Sequence, residues 1–306
     1  MLELTYDYLA CVKASEKASW NIDDVMPEGA ELDFGKHFLP EVLASTSGLD
    51  FLSADERRKL NQLTANSYLN LFAFVEEYIL VTMSQHLQAE LFGDHDAIRA
   101  LARFVDEEVK HQRLFQRYRR SFDRDFGVAC PVLESAAQVA EIILSKSPIA
   151  VLLITLHIEL MTQDHYTQAV KQDLALDPFF ESLLRHHWME EAQHARIDAL
   201  ELQKLLNGST QELHLVGFRD YLDLCSAMDG LLLEQSKLDA SVLATVFGRS
   251  LSTAELDATV LSQHRSYRRT FLVYGLRARG VRDAVAKMGP ELVLELEKRV
   301  HELEAA

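Results

Sequence analysis

Glycine and proline are scarce in this chain of 306 residues, which contains twelve glycines and six prolines. Together they make up about 6% of the residues, where average usage would give roughly 12%. A β-sandwich or β-barrel needs many tight turns, and collagen-like or linker-rich chains need even more glycine and proline. No alternation of polar and apolar residues with a period of two persists along the chain, so we predict an all-α fold.

Cysteine and positive charge are also in short supply. Cys11, Cys130 and Cys225 lie far apart and form no Cys-x-x-Cys pair, so neither a disulfide framework nor a thiolate zinc site is indicated. This usage favours a reduced, cytoplasmic setting. The chain has 31 basic and 47 acidic residues, and its net charge of −16 argues against nucleic-acid binding because it repels phosphate backbones.

A signal peptide and a long hydrophobic run are both missing from the sequence. Glu3 and Asp7 stand where a signal peptide needs basic residues. The longest apolar run, Ile149–Ile158, has ten residues, whereas a membrane span needs about 18. We therefore expect no membrane segment and interpret this run as part of a buried helix.

Capping residues divide the chain into long helices. Ser53 and Glu56 form a capping-box pattern, and Asp177-Pro178 combines an N-cap residue with proline at the first helical position. We expect four helices over about 53–91, 94–126, 132–174 with a break at Pro148, and 177–208. We interpret residues 1–306 as one domain, in which residues 53–208 form a metal-binding four-helix bundle. Residues 1–52 would cover it, and residues 209–306 would add two or three helices.

Two Glu-x-x-His motifs lie on the second and fourth predicted helices, at Glu108 and His111 and at Glu191 and His194. A spacing of three residues turns both side chains of a motif onto one helix face. Apolar residues share these faces, so the motifs are predicted to point inward. A buried carboxylate without a partner costs several kcal/mol, and these groups therefore require a cation or a complete hydrogen-bond network.

The first and third predicted helices each provide one further acid. Glu159 is the only acidic residue in a long apolar segment, and Glu76 lies on an apolar stripe that Glu77 does not share. The spacing from Glu76 to Glu108 is 32 residues, and the spacing from Glu159 to Glu191 is the same. Choosing Glu77 would break this internal repeat, so Glu76 is the better candidate.

Four glutamates and two histidines that converge inside a four-helix bundle are typical of a di-iron or di-manganese carboxylate site. A single Glu-x-x-His is more often an ordinary helix pair, but the two motifs, the inward faces and the repeated spacing together favour metal binding. Residues 53–208 resemble the ferritin-like di-iron carboxylate superfamily, whose Glu…Glu-x-x-His…Glu…Glu-x-x-His pattern is matched. The matching residues are Glu76, Glu108, His111, Glu159, Glu191 and His194.

One additional histidine departs from the plain superfamily pattern. His187 lies four residues before Glu191 on the same face. Such a histidine resembles the p-aminobenzoate N-oxygenase family, in which a seventh, histidine ligand supplements the usual six. The resemblance implies that His187 is a metal ligand, and a histidine of the core or outside the ligand shell is the alternative. Asp198, four residues after His194, is a candidate to orient a histidine ligand, with an exposed aspartate as the alternative.

Other charged residues near the motifs receive ordinary interpretations. Glu77, Glu107 and Glu190 each sit one residue from a candidate ligand and are interpreted as solvated or paired with lysine or arginine. The basic run over 113–124 is interpreted as a solvated helix face, with a docking site for an acidic redox partner as the alternative.

The resemblance implies a di-iron oxidoreductase that activates dioxygen to oxygenate or oxidise a small organic substrate, for which an amine is one candidate. Its cofactor would be two iron ions, with a manganese/iron pair as the alternative. Electrons would come from an external donor because the chain lacks a glycine-rich dinucleotide fingerprint. The oligomeric state is left open, with a homodimer as one candidate. The competing hypotheses are a ferroxidase or iron-binding ferritin relative without an organic substrate, and a metal-free helical interaction protein.

Overall fold

The computed structural model describes residues 6–133 and 136–305, and every regular element within these ranges is helical. The all-α prediction is therefore confirmed. The α-helices are α1 (Tyr8–Ala18), α2 (Ile22–Val25), α3 (Glu41–Ala44), α4 (Ala54–Glu90), α5 (His95–Phe126), α6 (Ala136–Leu144), α7 (Pro148–Gln168), α8 (Pro178–Asn207), α9 (Gln211–Phe247), α10 (Thr253–Arg268), α11 (Tyr274–Arg277), α12 (Arg279–Met288) and α13 (Leu292–Ala305).

Helices α4, α5, α7 and α8 form the four-helix bundle. Helix α4 packs on α5, α7 packs on α8, and α5 contacts α8 across the bundle. Their ends follow the capping signals in the sequence. Ser53 and Glu56 make a complete capping box, and the side chain of Asp177 accepts a hydrogen bond from Phe180 N. Helix α5 ends at Gly127, whose φ of 78° is favourable for glycine.

The third predicted helix differs most from its expected form. The expected break at Pro148 is present, since α6 ends at Leu144 and Pro148 stands in the first turn of α7. However, helix α7 ends at Gln168, earlier than the expected 174, because the chain tightens into a 3₁₀ turn over Val170–Gln172. The described part of the C-terminal region, residues 209–305, contains five α-helices, α9 to α13, rather than two or three.

The segments outside the bundle cover its two sides. Helix α1 packs on α5 and α8, and Trp20 Nε1 donates a hydrogen bond to the carbonyl of His186, 3.0 Å away. On the other side, α9 packs on α7 and α4. A π-helical turn, Arg269–Val273, joins α10 to α11 and lies on α7, where His165 Nε2 is 3.0 Å from the carbonyl oxygen of Thr270. In the described residues, no helix is both long and apolar enough to cross a membrane.

Candidate metal centre

The four bundle helices carry all seven candidate ligands into one buried cluster. Helix α4 provides one carboxylate, α5 provides a carboxylate and an imidazole, α7 provides one carboxylate, and α8 provides the rest. Each side chain is no more than 3% exposed. The residues are Glu76, Glu108, His111, Glu159, His187, Glu191 and His194.

Glu191 occupies the middle of this cluster. Its Oε1 lies 2.6 Å from His187 Nε2 and 3.2 Å from His111 Nδ1, while its Oε2 lies 2.9 Å from His194 Nδ1. Glu76 Oε1 is 3.1 Å from His187 Nε2 on one side. The two oxygens of Glu191 thus face different histidines, which is the arrangement a bridging carboxylate requires.

The donor atoms form two overlapping sets, each able to hold one metal ion. One set contains Glu76, His111, His187 and Glu191, with all its donor atoms within 4.8 Å of one another. In the other, with the same spread, Glu108 and His194 replace Glu76 and His187. Glu191 and His111 belong to both sets. Glu191 can serve two ions through its two oxygens, whereas Nδ1, the one ring nitrogen of His111 that faces Glu191, can serve only one. Glu159 adjoins them through a side-chain hydrogen bond with Glu191.

Several buried atoms in the cluster lack the hydrogen bonds that a metal-free polar site would need. His111 Nδ1 and both carboxylate oxygens of Glu108 have no hydrogen-bond partner, although His194 Nδ1 lies 2.9 Å from Glu108 Oε1. Buried polar groups are nearly always satisfied, so unsatisfied donors and acceptors that face one point require an explanation. Carboxylate oxygens and imidazole nitrogens are common ligands of iron and manganese. The residues therefore fit a metal pair.

Burial and mutual repulsion perturb the carboxyl groups. Burial, reinforced by the charge of Glu108, raises the pKa of Glu76 to about 8. Burial and the charge of Glu191 raise the pKa of Glu159 well above its usual range. Burial also opposes ionisation of Glu191, but the charges of His187 and His194 outweigh it and hold its pKa well below the usual range. Metal ions would replace the protons that hold this cluster together.

Two further carboxylates, outside the predicted ligand set, orient the histidines of the two motifs. Glu190 Oε2 lies 3.0 Å from His111 Nε2, and Glu107 Oε2 lies 2.9 Å from His194 Nε2. Both glutamates are buried rather than solvated, and the expected pairing with a basic residue is present, since Glu190 contacts Lys110 and Glu107 lies near Arg103. In the neutral form that binds metal, each imidazole with its Nε2–H donating to a carboxylate would direct the lone pair of Nδ1 at the centre of the cluster.

These contacts cross between the two motifs. The glutamate that precedes one Glu-x-x-His supports the histidine of the other, and residues 107–111 and 190–194 both read Glu-Glu-x-x-His. This repeated first glutamate is the signal that could have identified them. The N-terminal cover also takes part, because the hydroxyl of Ser15 on α1 donates to Glu107. The pKa of Glu107 falls to about 2 because the hydrogen bond from His194 and its charge outweigh the effect of burial.

Asp198 and Glu77 occupy different surroundings. Asp198 is fully buried, but its two carboxylate oxygens form no hydrogen bond with any described residue, so the histidine contacts expected of it are made by Glu107 and Glu190. Glu77 is exposed, whereas Glu76 faces the cluster. The structure therefore places the residue of the repeated spacing, and not its neighbour, beside the candidate ligands.

Two Glu-x-x-His motifs and two further glutamates inside a four-helix bundle define a ferritin-like di-metal carboxylate protein. Residues 11–216 match the family model described as p-aminobenzoate N-oxygenase AurF, which covers more than half of the chain. The chain therefore belongs to the p-aminobenzoate N-oxygenase family, and its biochemical class is that of an oxygenase or oxidase.

The chain also shares its helical fold with solved structures. It is similar to an R2-like ligand-binding oxidase with an aerobically reconstituted Mn/Fe cofactor, at 16% identity and a TM-score of 0.47, over 86% of this chain and 92% of that one. A variant of that kind of oxidase with an Fe/Fe cofactor has 16% identity and a TM-score of 0.46 over the same shares. No individually curated protein matches the sequence.

Proposed function

We propose that this protein is a di-iron oxygenase that uses dioxygen to oxidise a small organic amine, with a manganese/iron pair as the alternative cofactor. The observation that carries the proposal is the pair of donor sets that share Glu191, whose two oxygens face different histidines. The four carboxylates Glu76, Glu108, Glu159 and Glu191 would balance the charge of two divalent ions. His111, His187 and His194 would complete the ligand set.

When bound, such a metal pair supplies electrons to dioxygen. The residues of the chain bind and orient the pair. Glu191 presents one oxygen to each donor set, while Glu107 and Glu190 hold the two motif imidazoles in the tautomer that exposes Nδ1. Phe104 stacks on the ring of His194, with ring centroids 3.8 Å apart, and thereby keeps water from that side of the cluster.

A cavity beside the metal centre supports the part of the proposal that concerns an organic substrate. It has a volume of about 460 Å³ and lies mainly between α4 and α5. Gln112 lines it and places Nε2 3.4 Å from Glu76 Oε2, and Phe115 packs against the ring of His187. Its volume is within the usual range for small-molecule sites. Glu77 lines the same cavity, and its carboxylate can accept a hydrogen bond from the N–H group of an amine.

The proposal is tested by reacting the ferrous-loaded protein with ¹⁸O₂ in the presence of aniline or p-aminobenzoate, with benzoate as the control that lacks an amine. Mass spectrometry is expected to find ¹⁸O on nitrogen in the amine products and none in benzoate. The Glu191→Ala variant should form no product. Oxidation of iron without labelled organic product from any amine would instead identify a ferroxidase.

We further propose a cytoplasmic location, an external electron donor and a homodimeric state. Cys11, Cys130 and Cys225 are all free and buried, which is compatible with a reducing compartment. We also propose that residues 1–306 act as one domain, since Ser15 of the N-terminal cover contacts Glu107 beside the metal site. Cell fractionation and sedimentation of the purified protein test location and subunit number.

A further inference from the structure

A second cavity, of about 160 Å³, lies between α4, α6, α7 and α9. All the described side chains that line it are hydrophobic, and Leu71, Val75, Ile154, Leu232 and Phe271 form its inner walls. A buried water needs two to four polar partners, which this lining does not provide. Apolar cavities of similar size stay dry and take up benzene or xenon. The cavity is therefore built for a small apolar molecule.

The inner end of this apolar cavity is close to the metal centre. Phe271 lines it and contacts Phe72, with ring centroids 5.4 Å apart, and Phe72 contacts the ring of His187 at 5.2 Å. Val75, also in the wall, directly precedes Glu76. Phe271 belongs to the π-helical turn Arg269–Val273, and such turns occur frequently at functional sites.

The outer end of the apolar cavity opens toward solvent. Ile142 of α6 and Ala227 of α9 line it, and both are exposed. More than half of the surface of Ile142 is accessible, although it is a large hydrophobic residue. The cavity thus leads from an apolar mouth to two contacting rings, Phe271 and Phe72, next to a candidate ligand.

The two cavities beside the metal centre differ in polarity. The larger one includes Glu77, Gln112 and Arg119, whereas the described lining of the apolar cavity has no charged or hydrogen-bonding side chain. Leu71 and Phe74 border both cavities and separate them. A polar amine would therefore be more soluble in the larger cavity, and apolar dioxygen would be more soluble in the apolar cavity.

We propose that the apolar cavity is the dioxygen site through which the gas reaches the metal centre. This inference rests on the proposed function. Dioxygen would partition from water into the apolar cavity and pass the rings of Phe271 and Phe72 to reach the side of the centre formed by His187 and Glu76. The organic substrate would approach through the larger cavity.

Xenon binding to the metal-free protein tests the cavity independently of catalysis. Crystals pressurised with xenon should show the gas between Ile154 and Phe271. The Val139→Phe variant places a ring in the cavity and should lose this site. Gln138→Phe is the matched control, since Gln138 is exposed on the same helix and does not line the cavity. Absence of xenon from the wild-type cavity would overturn the proposal.

The reaction with dioxygen tests the assignment to that gas. Ferrous-loaded protein is mixed with oxygenated buffer, and the appearance of ferric absorbance gives a second-order rate constant. Val139→Phe and the mouth variant Ala227→Phe should lower it by about tenfold, equivalent to about 1.4 kcal/mol of added barrier. Gln138→Phe should react like the wild type.

Two outcomes separate this inference from the proposed function. If xenon binds but both cavity variants react with dioxygen at the wild-type rate, the dioxygen assignment is wrong while the oxygenase proposal stands. If the variants instead lose affinity for aniline at an unchanged oxygen rate, the cavity belongs to the organic substrate, and the assignment is again wrong. Failure of the wild-type protein to bind iron would contradict the proposed function and, with it, the dioxygen assignment. The xenon result would still show whether the apolar cavity binds a gas.

Discussion

The carboxylates that orient the histidines lead to a sharp prediction for Glu107→Gln. Glu107 Oε2 lies 2.9 Å from His194 Nε2, and its low pKa shows that it is ionised at neutral pH. Glutamine keeps the shape and an oxygen acceptor but removes the negative charge that makes the imidazole a stronger donor to metal. Substitution of such groups in metal sites typically costs 10- to 100-fold in affinity, or about 1.4 to 2.7 kcal/mol.

The assay is competition between the protein and a chelator for ferrous iron under anaerobic conditions. Asp106→Asn is the matched control, because Asp106 precedes Glu107 on α5 and carries the same charge but is exposed. We expect wild-type affinity from the control and a 10- to 100-fold loss from Glu107→Gln. Circular dichroism should show both variants folded. Equal affinities for all three proteins would refute the role assigned to Glu107.

Three further predictions concern ligands, packing and pH. Glu159→Ala should abolish binding of the metal pair by removing the carboxylate of α7, as chelator competition will show. Gly275→Ala should lower the free energy of unfolding in urea by about 3 kcal/mol, because its new Cβ would lie 2.0 Å from the ring of His157. Gly230→Ala is the control and should cause no such loss, because no atom lies within 4 Å of its new Cβ. Burial lowers the pKa of His165 from 6.5 to about 3, so the folded state excludes a proton that the unfolded state binds. Between pH 6.5 and about 3, this histidine should therefore lower the free energy of unfolding by about 1.4 kcal/mol for each pH unit, and His165→Gln should lack this contribution. An equal loss of stability between pH 7 and 5 in both proteins would contradict it.

Much of the bundle could be predicted because its signals are local. The capping box at Ser53 and the Asp177-Pro178 start set the beginnings of α4 and α8, and Gly127 set the end of α5. Helix period and the equal 32-residue spacing were enough to choose Glu76 over Glu77. These features depend on residues within one or two helical turns, or on a repeat that is visible in the chain itself.

The parts that could not be predicted depend on contacts between distant segments. Glu107 and Glu190 were interpreted as solvated or paired with lysine or arginine, because each lies one residue from the ligand position of its own helix. Each also reaches a histidine on the facing helix. The early end of α7 and the π-helical turn Arg269–Val273 arise where the C-terminal helices pack on the bundle. Asp198 lies on the expected stripe, but a stripe does not specify which partner a buried carboxylate finds.

The most direct test of the central claim is metal analysis of the protein after anaerobic reconstitution with ferrous iron and removal of loosely bound ions. The proposed ligand set predicts about two iron ions per chain, with a crystal structure placing them on either side of Glu191. Glu191→Ala should retain none while remaining helical. An iron-free wild-type protein, or full occupancy in Glu191→Ala, would contradict the account.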